Sequence, residues 1–333
     1  MLLLIDYSLF LLKTITFVAA ILVVFAGLIA IASKGKTKGK LIAKKCNEYY
    51  DNLANTLQAV VLSKKELKQY NKAVKEKKKG SHEPKRRIFI LQFKGDLRAS
   101  AVDLLSKEID AILLIATVED EVLVRLESPG GMVSGYGLAA SQLARLRAKG
   151  ISLTIAVDKV AASGGYMMAA VANRILAAPF AVIGSIGVIA QLPNFHRLLN
   201  KHHIDFEQIT AGHHKRTLTV FGENTAEGRK KFQQELNDLH ELFKEHIKTY
   251  RPHLDIEKLA TGEYWFGQRA LDLNLVDTLQ TSDDYLLSQK EEYDLIEVRY
   301  KVKKHLGKRV SQTVSKILSE SRDWLAGEEF NRY

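Results

Sequence analysis

At 333 residues and 46% hydrophobic composition, the chain can bury a sizeable core and suits one large domain, or two, with appendages. Its only cysteine, Cys46, excludes an intrachain disulfide. The net charge of +11 comes from one stretch: residues 33–87 hold 17 lysines and arginines against five acids, so the rest sums to −1, which argues against a nucleic-acid-binding body.

In chain order, residues 14–32 form a 19-residue run without a charge, long enough to span a bilayer core. A cleavable signal peptide competes with that reading, because Ala30-Ile31-Ala32 has the small-x-small form of a cleavage site. The run is too long for an h-region, the basic n-region is nearly absent and lysines follow at once, so residues 1–33 are read as a membrane anchor. The basic segment 34–87 is attracted to anionic lipid headgroups, and by the positive-inside tendency it places the body on the cytoplasmic face. Leu41, Tyr49, Leu53, Leu57, Val60 and Val61 recur at near-helical spacing, which predicts a helix there, with Lys72 to Gly80 as a solvated linker.

The folded domain is expected over residues 88–300, with a C-terminal helical extension over 301–333. Arg87 to Phe93, Val122 to Leu126 and Ile151 to Val157 read as strands, alternating with helical patterns over Ser100 to Ile115 and Gly135 to Lys149. That alternation predicts parallel crossovers and an α/β core. Arg174 to Ala178, Val188 to Gln191 and Asp205 to Thr210 read as further strands, and Ala226 to Tyr250 as a long, densely charged helix.

Ser163, in Ala161-Ala162-Ser163-Gly164-Gly165-Tyr166, falls at a strand-to-helix turn, where a hydroxyl lies at the mouth of the turn and at the positive end of a helix. The alternative is a plain helix N-cap. Glu127-Ser128-Pro129-Gly130-Gly131 follows a strand directly, and its glycine N–H groups can face a cleft as an oxyanion hole requires. Gly184-Ser185-Ile186-Gly187-Val188 and Ala211-Gly212-His213-His214-Lys215-Arg216 are the remaining distinctive stretches, each ordinary by itself.

In this order, the four stretches resemble the signal peptide peptidase A family of membrane-bound serine proteases, in its SohB branch. Glu127 to Gly131 is similar to the family's Asn/Glu-Ser-Pro-Gly-Gly turn, Ala161 to Tyr166 to its nucleophile stretch, and Gly184 to Val188 to its Gly-Ser-Ile-Gly-Val. Ala260-Thr261-Gly262 through Leu275-Val276-Asp277 looks like the downstream segment, and His214 stands where a tyrosine usually precedes the lysine. The resemblance implies a ClpP/crotonase-like fold of stacked ββα units carrying a Ser-Lys dyad. Ser163 would be the nucleophile, Lys215 the general base and Ser185 the residue that orients the lysine; Gly131 or Gly130, with Gly164, would form the oxyanion hole. A lysine base must be neutral near pH 7, which burial or cationic neighbours such as His213, His214 and Arg216 favour.

The resemblance further implies a homo-oligomeric ring whose sites take the serine and lysine from adjacent chains; the apolar Tyr166-Met167-Met168 flank and the anchor point to hydrophobic peptide substrates such as signal-peptide remnants, and no cofactor or metal is expected. It also offers the periplasmic face as the alternative location. Lys159 is a rival base, expected out of reach on the strand side of the turn. A Ser-His-Asp triad lacks the first glycine of Gly-x-Ser-x-Gly, which is Ala161 here. A crotonase-like acyl-CoA enzyme and a catalytically idle membrane scaffold are the readings from other classes.

Overall fold

The computed structural model describes residues 7, 9–18, 21, 39–80, 85–212 and 214–302. The chain divides into two compact units, one made of Met1–Leu41 with Tyr300–Tyr333 and the other of Ile42–Arg299. In the first, residues 9–18 are helical, and Thr14 Oγ1 donates to the Phe10 carbonyl at 2.9 Å. No described helix is long and apolar enough to cross a membrane. Most of the predicted span, and the predicted extension beyond residue 302, lie outside the described residues.

The chain runs β1 (Gly39–Lys45), α1 (Asn47–Val61), α2 (Lys64–Gly80), β2 (Arg86–Lys94), α3 (Val102–Leu113), β3 (Glu121–Glu127), α4 (Val133–Ala148) and β4 (Ser152–Val157). The nucleophile region follows as β5 (Val160–Ala162), α5 (Gly164–Ala170), β6 (Arg174–Ala177) and β7 (Val182–Gly184). Then come α6 (His196–Lys201), α7 (Ala226–Tyr250), α8 (Ile256–Leu259), β8 (Tyr264–Phe266), α9 (Gly267–Asp272), β9 (Thr278–Leu279), α10 (Ser282–Gln289) and β10 (Tyr293–Val302).

Among the described residues the strands form a seven-stranded sheet, ordered β1-β10-β2-β3-β4-β6-β9, and a three-stranded sheet, β5-β7-β8. Every pairing from β10 to β9 in the large sheet is parallel, as the alternation of strands and helices predicts. The pleat divides β2 between two cores. Phe89, Leu91 and Phe93 join the cluster that includes Leu105, Ile109, Leu143 and α5, whereas Ile88 and Ile90 pack with Tyr285, Leu286 and Leu295.

Four local expectations are corrected. Val188 to Gln191 and Asp205 to Thr210 form no strand; Ile189 is 80% and Ile209 94% exposed, so the β-forming residues there have no neighbouring strand or core to pack on. Lys72 to Gly80 continues α2 instead of forming a linker, since lysine is a good helix former and nothing breaks the run before Gly80. Leu41, counted with the helical spacing, belongs to β1.

Candidate active site

The small sheet builds the turn at Ser163. β5 and β7 run parallel with Ala162 opposite Gly184, so Ser163 and Ser185 leave the sheet side by side. Ser163 has φ 52° and ψ −118°, and its N–H donates to the Gly184 carbonyl at 2.8 Å. A non-glycine residue held there costs about 1–3 kcal/mol and persists only where its surroundings enforce it. The Ser163 side chain makes no capping hydrogen bond to α5, so it does not act as an N-cap.

The Glu127 to Gly131 turn packs against this nucleophile turn. Gly130 has φ 91°, and a Cβ there would stand 2.7 Å from Ser163 Cβ; a Cβ on Gly164 would run into the Tyr136 ring. Tyr136 Oη donates to the Asp96 carbonyl at 2.8 Å, which uses its one proton. Ser128 Oγ, 2.6 Å away, therefore donates to Tyr136, and its lone pair accepts the Gly130 N–H at 3.1 Å. Burial pushes the Tyr136 phenol up, which keeps the donor protonated. The relay engages the Gly130 N–H, whereas the Gly131 N–H has no acceptor among the described residues. Gly164 begins a helix, so its N–H has no intrahelical acceptor. Ser128 lies within a stretch legible in the sequence; Tyr136, eight residues on, carried no signal.

Ser163, Ser185, Gly130, Gly131 and Gly164 line one cleft of about 900 Å³. Its walls are largely apolar, with Leu97, Met132, Met167, Leu239 and Phe243 among them. Met168, by contrast, is a core residue with no exposure. Among the described residues no aspartate or glutamate lines the cleft, and the histidine that does, His240, has a buried Nε2 with no hydrogen-bond partner. A Ser-His-Asp arrangement is thus absent from the cleft among the described residues.

Lys215 is not brought to Ser163 in the single chain. It is exposed and lines a second cavity, of about 710 Å³, with Phe206, Ile209, Arg216 and Phe221. His214 is exposed too, and His213 lies outside the described residues. The rival Lys159 sits 3.5 Å from Glu127 with its side chain 70% exposed, and it does not line the cleft. A hydrogen bond from Lys94, with Lys159 nearby, holds the Glu127 carboxyl below its usual range. No group of three or more histidines, cysteines or acids among the described residues could hold a metal ion.

Helix α5 is braced from below by residues that the motifs did not indicate. His246 Nε2 lies 2.9 Å from the Met167 carbonyl, and burial pulls that imidazole below its usual range. Tyr166 Oη donates to the Leu275 carbonyl at 2.9 Å from a fully buried position. Next to it, the buried Arg251 makes two bonds to Asp277, at 2.6 and 2.9 Å, and Asp277 also accepts the Ile175 N–H at 2.7 Å.

Peptidase family S49 N-terminal matches residues 2–143, and Peptidase family S49 matches residues 145–295. The chain is 48% identical to a protein named Probable protease SohB from Haemophilus influenzae, over 96% of this chain and 98% of that one. It is 58% identical to a Probable protease SohB from Buchnera aphidicola of Acyrthosiphon pisum, over 71% of this chain and 70% of that one. A solved structure of the 1510-N membrane-bound stomatin-specific protease with a substrate peptide aligns at TM-score 0.43 and 12% identity, over 70% of this chain and all of that one.

Proposed function

The chain belongs to peptidase family S49, in its SohB branch, and is a serine peptidase; from that premise we propose that it cleaves hydrophobic peptides with a Ser-Lys dyad completed between adjacent chains of a ring. The observation that carries the dyad reading is the Ser163–Ser185 pair, side by side at an apolar cleft with the Ser163 side chain in no capping bond. The finer fold reading is of stacked ββα units of the ClpP/crotonase type, and the β5-α5-β7 arrangement supports it.

In this reading Ser163 Oγ attacks the peptide carbonyl carbon while its proton passes to Lys215 Nζ of a neighbouring chain, oriented by Ser185 Oγ. The N–H groups of Gly131 and Gly164 stabilise the oxyanion, with Gly130 shaping the turn instead, because its own N–H is bonded to Ser128. As the C–N bond breaks, the lysine returns the proton to the leaving amine; water then hydrolyses the Ser163 ester with the same base. The exposed Lys215 in a separate cavity supports sharing between chains, since its own chain leaves the amine in water. A cleft walled by leucine, methionine and phenylalanine supports apolar substrates such as signal-peptide remnants.

We place the protein at the inner membrane through the 14–32 run, with the basic segment on anionic lipid and the peptidase domain on the cytoplasmic side; the periplasmic face is the alternative. Membership of a peptidase family takes the place of the acyl-CoA reading. The idle-scaffold reading is decided by a fluorophosphonate probe on the solubilised full chain. Labelling is expected in wild type and lost in Ser163→Ala and Lys215→Ala, and mixing the two inactive variants under subunit exchange should restore part of the activity. Labelling that survives Ser163→Ala would remove the nucleophile assignment, and no recovery on mixing would remove the shared site.

A further inference from the structure

Helix α1 has one apolar face, half docked and half bare. At its start, Asn47 Nδ2 donates to the Lys290 and Tyr293 carbonyls at 2.9 and 2.8 Å, and Asn47 Oδ1 accepts the Leu295 N–H at 2.7 Å. Cys46 and Tyr50 pack there against the buried Ile88–Leu295 cluster. At 100° per residue, Leu53, Leu57, Val60 and Val61 continue the same face, left open by the described residues: their exposures are 48%, 67%, 84% and 76%. The opposite side carries Asp51, Asn55 and Gln58, and residues 52–61 hold no charge. A capping box then joins α1 to α2, with the Ser63 N–H donating to Glu66 Oε2 at 2.9 Å and the Glu66 N–H to Ser63 Oγ at 3.4 Å. Helix α2 holds eight lysines against two glutamates.

We propose that the bare face of α1, from Leu53 to Val61, lies in the interface of an anionic lipid bilayer, with the lysine-rich helix α2 beside the headgroups. An amphipathic helix followed by a polybasic one is the combination that binds such a surface, through apolar burial and charge together. A second copy of this chain is the poorer occupant, because it would bring a second lysine-rich α2 against the first with no acidic patch on α1 to receive it. The inference sharpens the lipid contact proposed above and is independent of the chemistry at Ser163.

The test uses the full chain with Cys46→Ser and a single environment-sensitive fluorophore on Val60→Cys, reconstituted in vesicles of phosphatidylcholine with one quarter phosphatidylglycerol or of phosphatidylcholine alone. The expected result is blue-shifted emission and several-fold stronger quenching by nitroxide-labelled lipid in the anionic vesicles, lost on adding Leu57→Ser and Val61→Ser. A fluorophore on Asn55→Cys, on the opposite side, should report water in both. Flotation of the vesicles separates the two claims: a chain that floats while residue 60 reports water overturns the inference and leaves the anchor reading standing. A chain that does not float overturns both. Equal burial in the two vesicle types, or efficient crosslinking between Val60→Cys sites of two chains without lipid quenching, also overturns the anionic-lipid assignment.

Discussion

Ser163 and Ser185 are related by the register of two parallel strands: each directly follows the last residue of its strand, Ala162 opposite Gly184, and each takes a positive φ, 52° and 50°. The Ser163 N–H bonds to the Gly184 carbonyl at 2.8 Å, and the Ser185 N–H to the Glu263 carbonyl at 2.6 Å. Two strained serines are thus held at one lip of the cleft by backbone bonds, which leaves their side chains to chemistry.

That arrangement separates backbone from hydroxyl at position 185. Ser185→Gly relieves the positive φ and should keep or raise the melting temperature, whereas kcat should fall about a hundredfold with KM little changed, the scale of a lost proton-transfer element. Unchanged kcat in both Ser185→Gly and Ser185→Ala would show that the hydroxyl does not orient the base.

The relay from Gly130 through Ser128 and Tyr136 to Asp96 is buried, with Ser128 and Tyr136 at 0% exposure. Tyr136→Phe leaves the Ser128 hydroxyl without an acceptor and should cost about 1–2 kcal/mol in urea unfolding. Gly164→Ala should be more damaging, because its Cβ meets the Tyr136 ring, and both variants should slow acylation by shifting the turn. A Gly164→Ala protein with wild-type stability and rate contradicts the packing described here.

His240 Nε2 is buried at the cleft wall with no partner among the described residues, and such a group costs stability when left unpaired. His240→Leu should therefore raise the melting temperature by a few degrees and lower kcat/KM on peptides, the two effects pulling in opposite directions. A variant that loses stability instead would place His240 in a structural role.

Burial holds the folded-state pKa of His246 below its ordinary value of 6.5. Unfolded chains take up that proton as pH falls through 6.5 while the folded protein resists it, so the stabilisation is present above 6.5 and is lost as pH falls towards the folded value. Wild type should lose melting temperature from pH 7 to 5 more steeply than His246→Gln, which keeps a hydrogen-bond donor to the Met167 carbonyl without the titration. Parallel slopes for the two proteins would assign the acid sensitivity elsewhere.

Much of this was legible along the chain. The strands at Arg86–Lys94, Glu121–Glu127 and Ser152–Val157 and the helix Ala226–Tyr250 stood out because local periodicity and burial agree there. The turn at Ser163 was legible because glycines must stand where two backbones touch. Val188 to Gln191 and Asp205 to Thr210 misled because β-forming residues make a strand only when another strand is present to pair with them.

What the sequence by itself determined is the set of chemical groups: a serine at a strand-to-helix turn, a glycine turn ahead of it, a second serine, and a lysine 52 residues after the first. Only the tertiary structure decided how they meet. It put Ser163 beside Ser185 through strand register, engaged the Gly130 N–H with Ser128, which Tyr136 holds in turn, and left Lys215 exposed in a different cavity from Ser163. Periodicity and turn chemistry act over a few residues, whereas these relations join segments tens of residues apart through sheet pairing and packing, which no local pattern encodes.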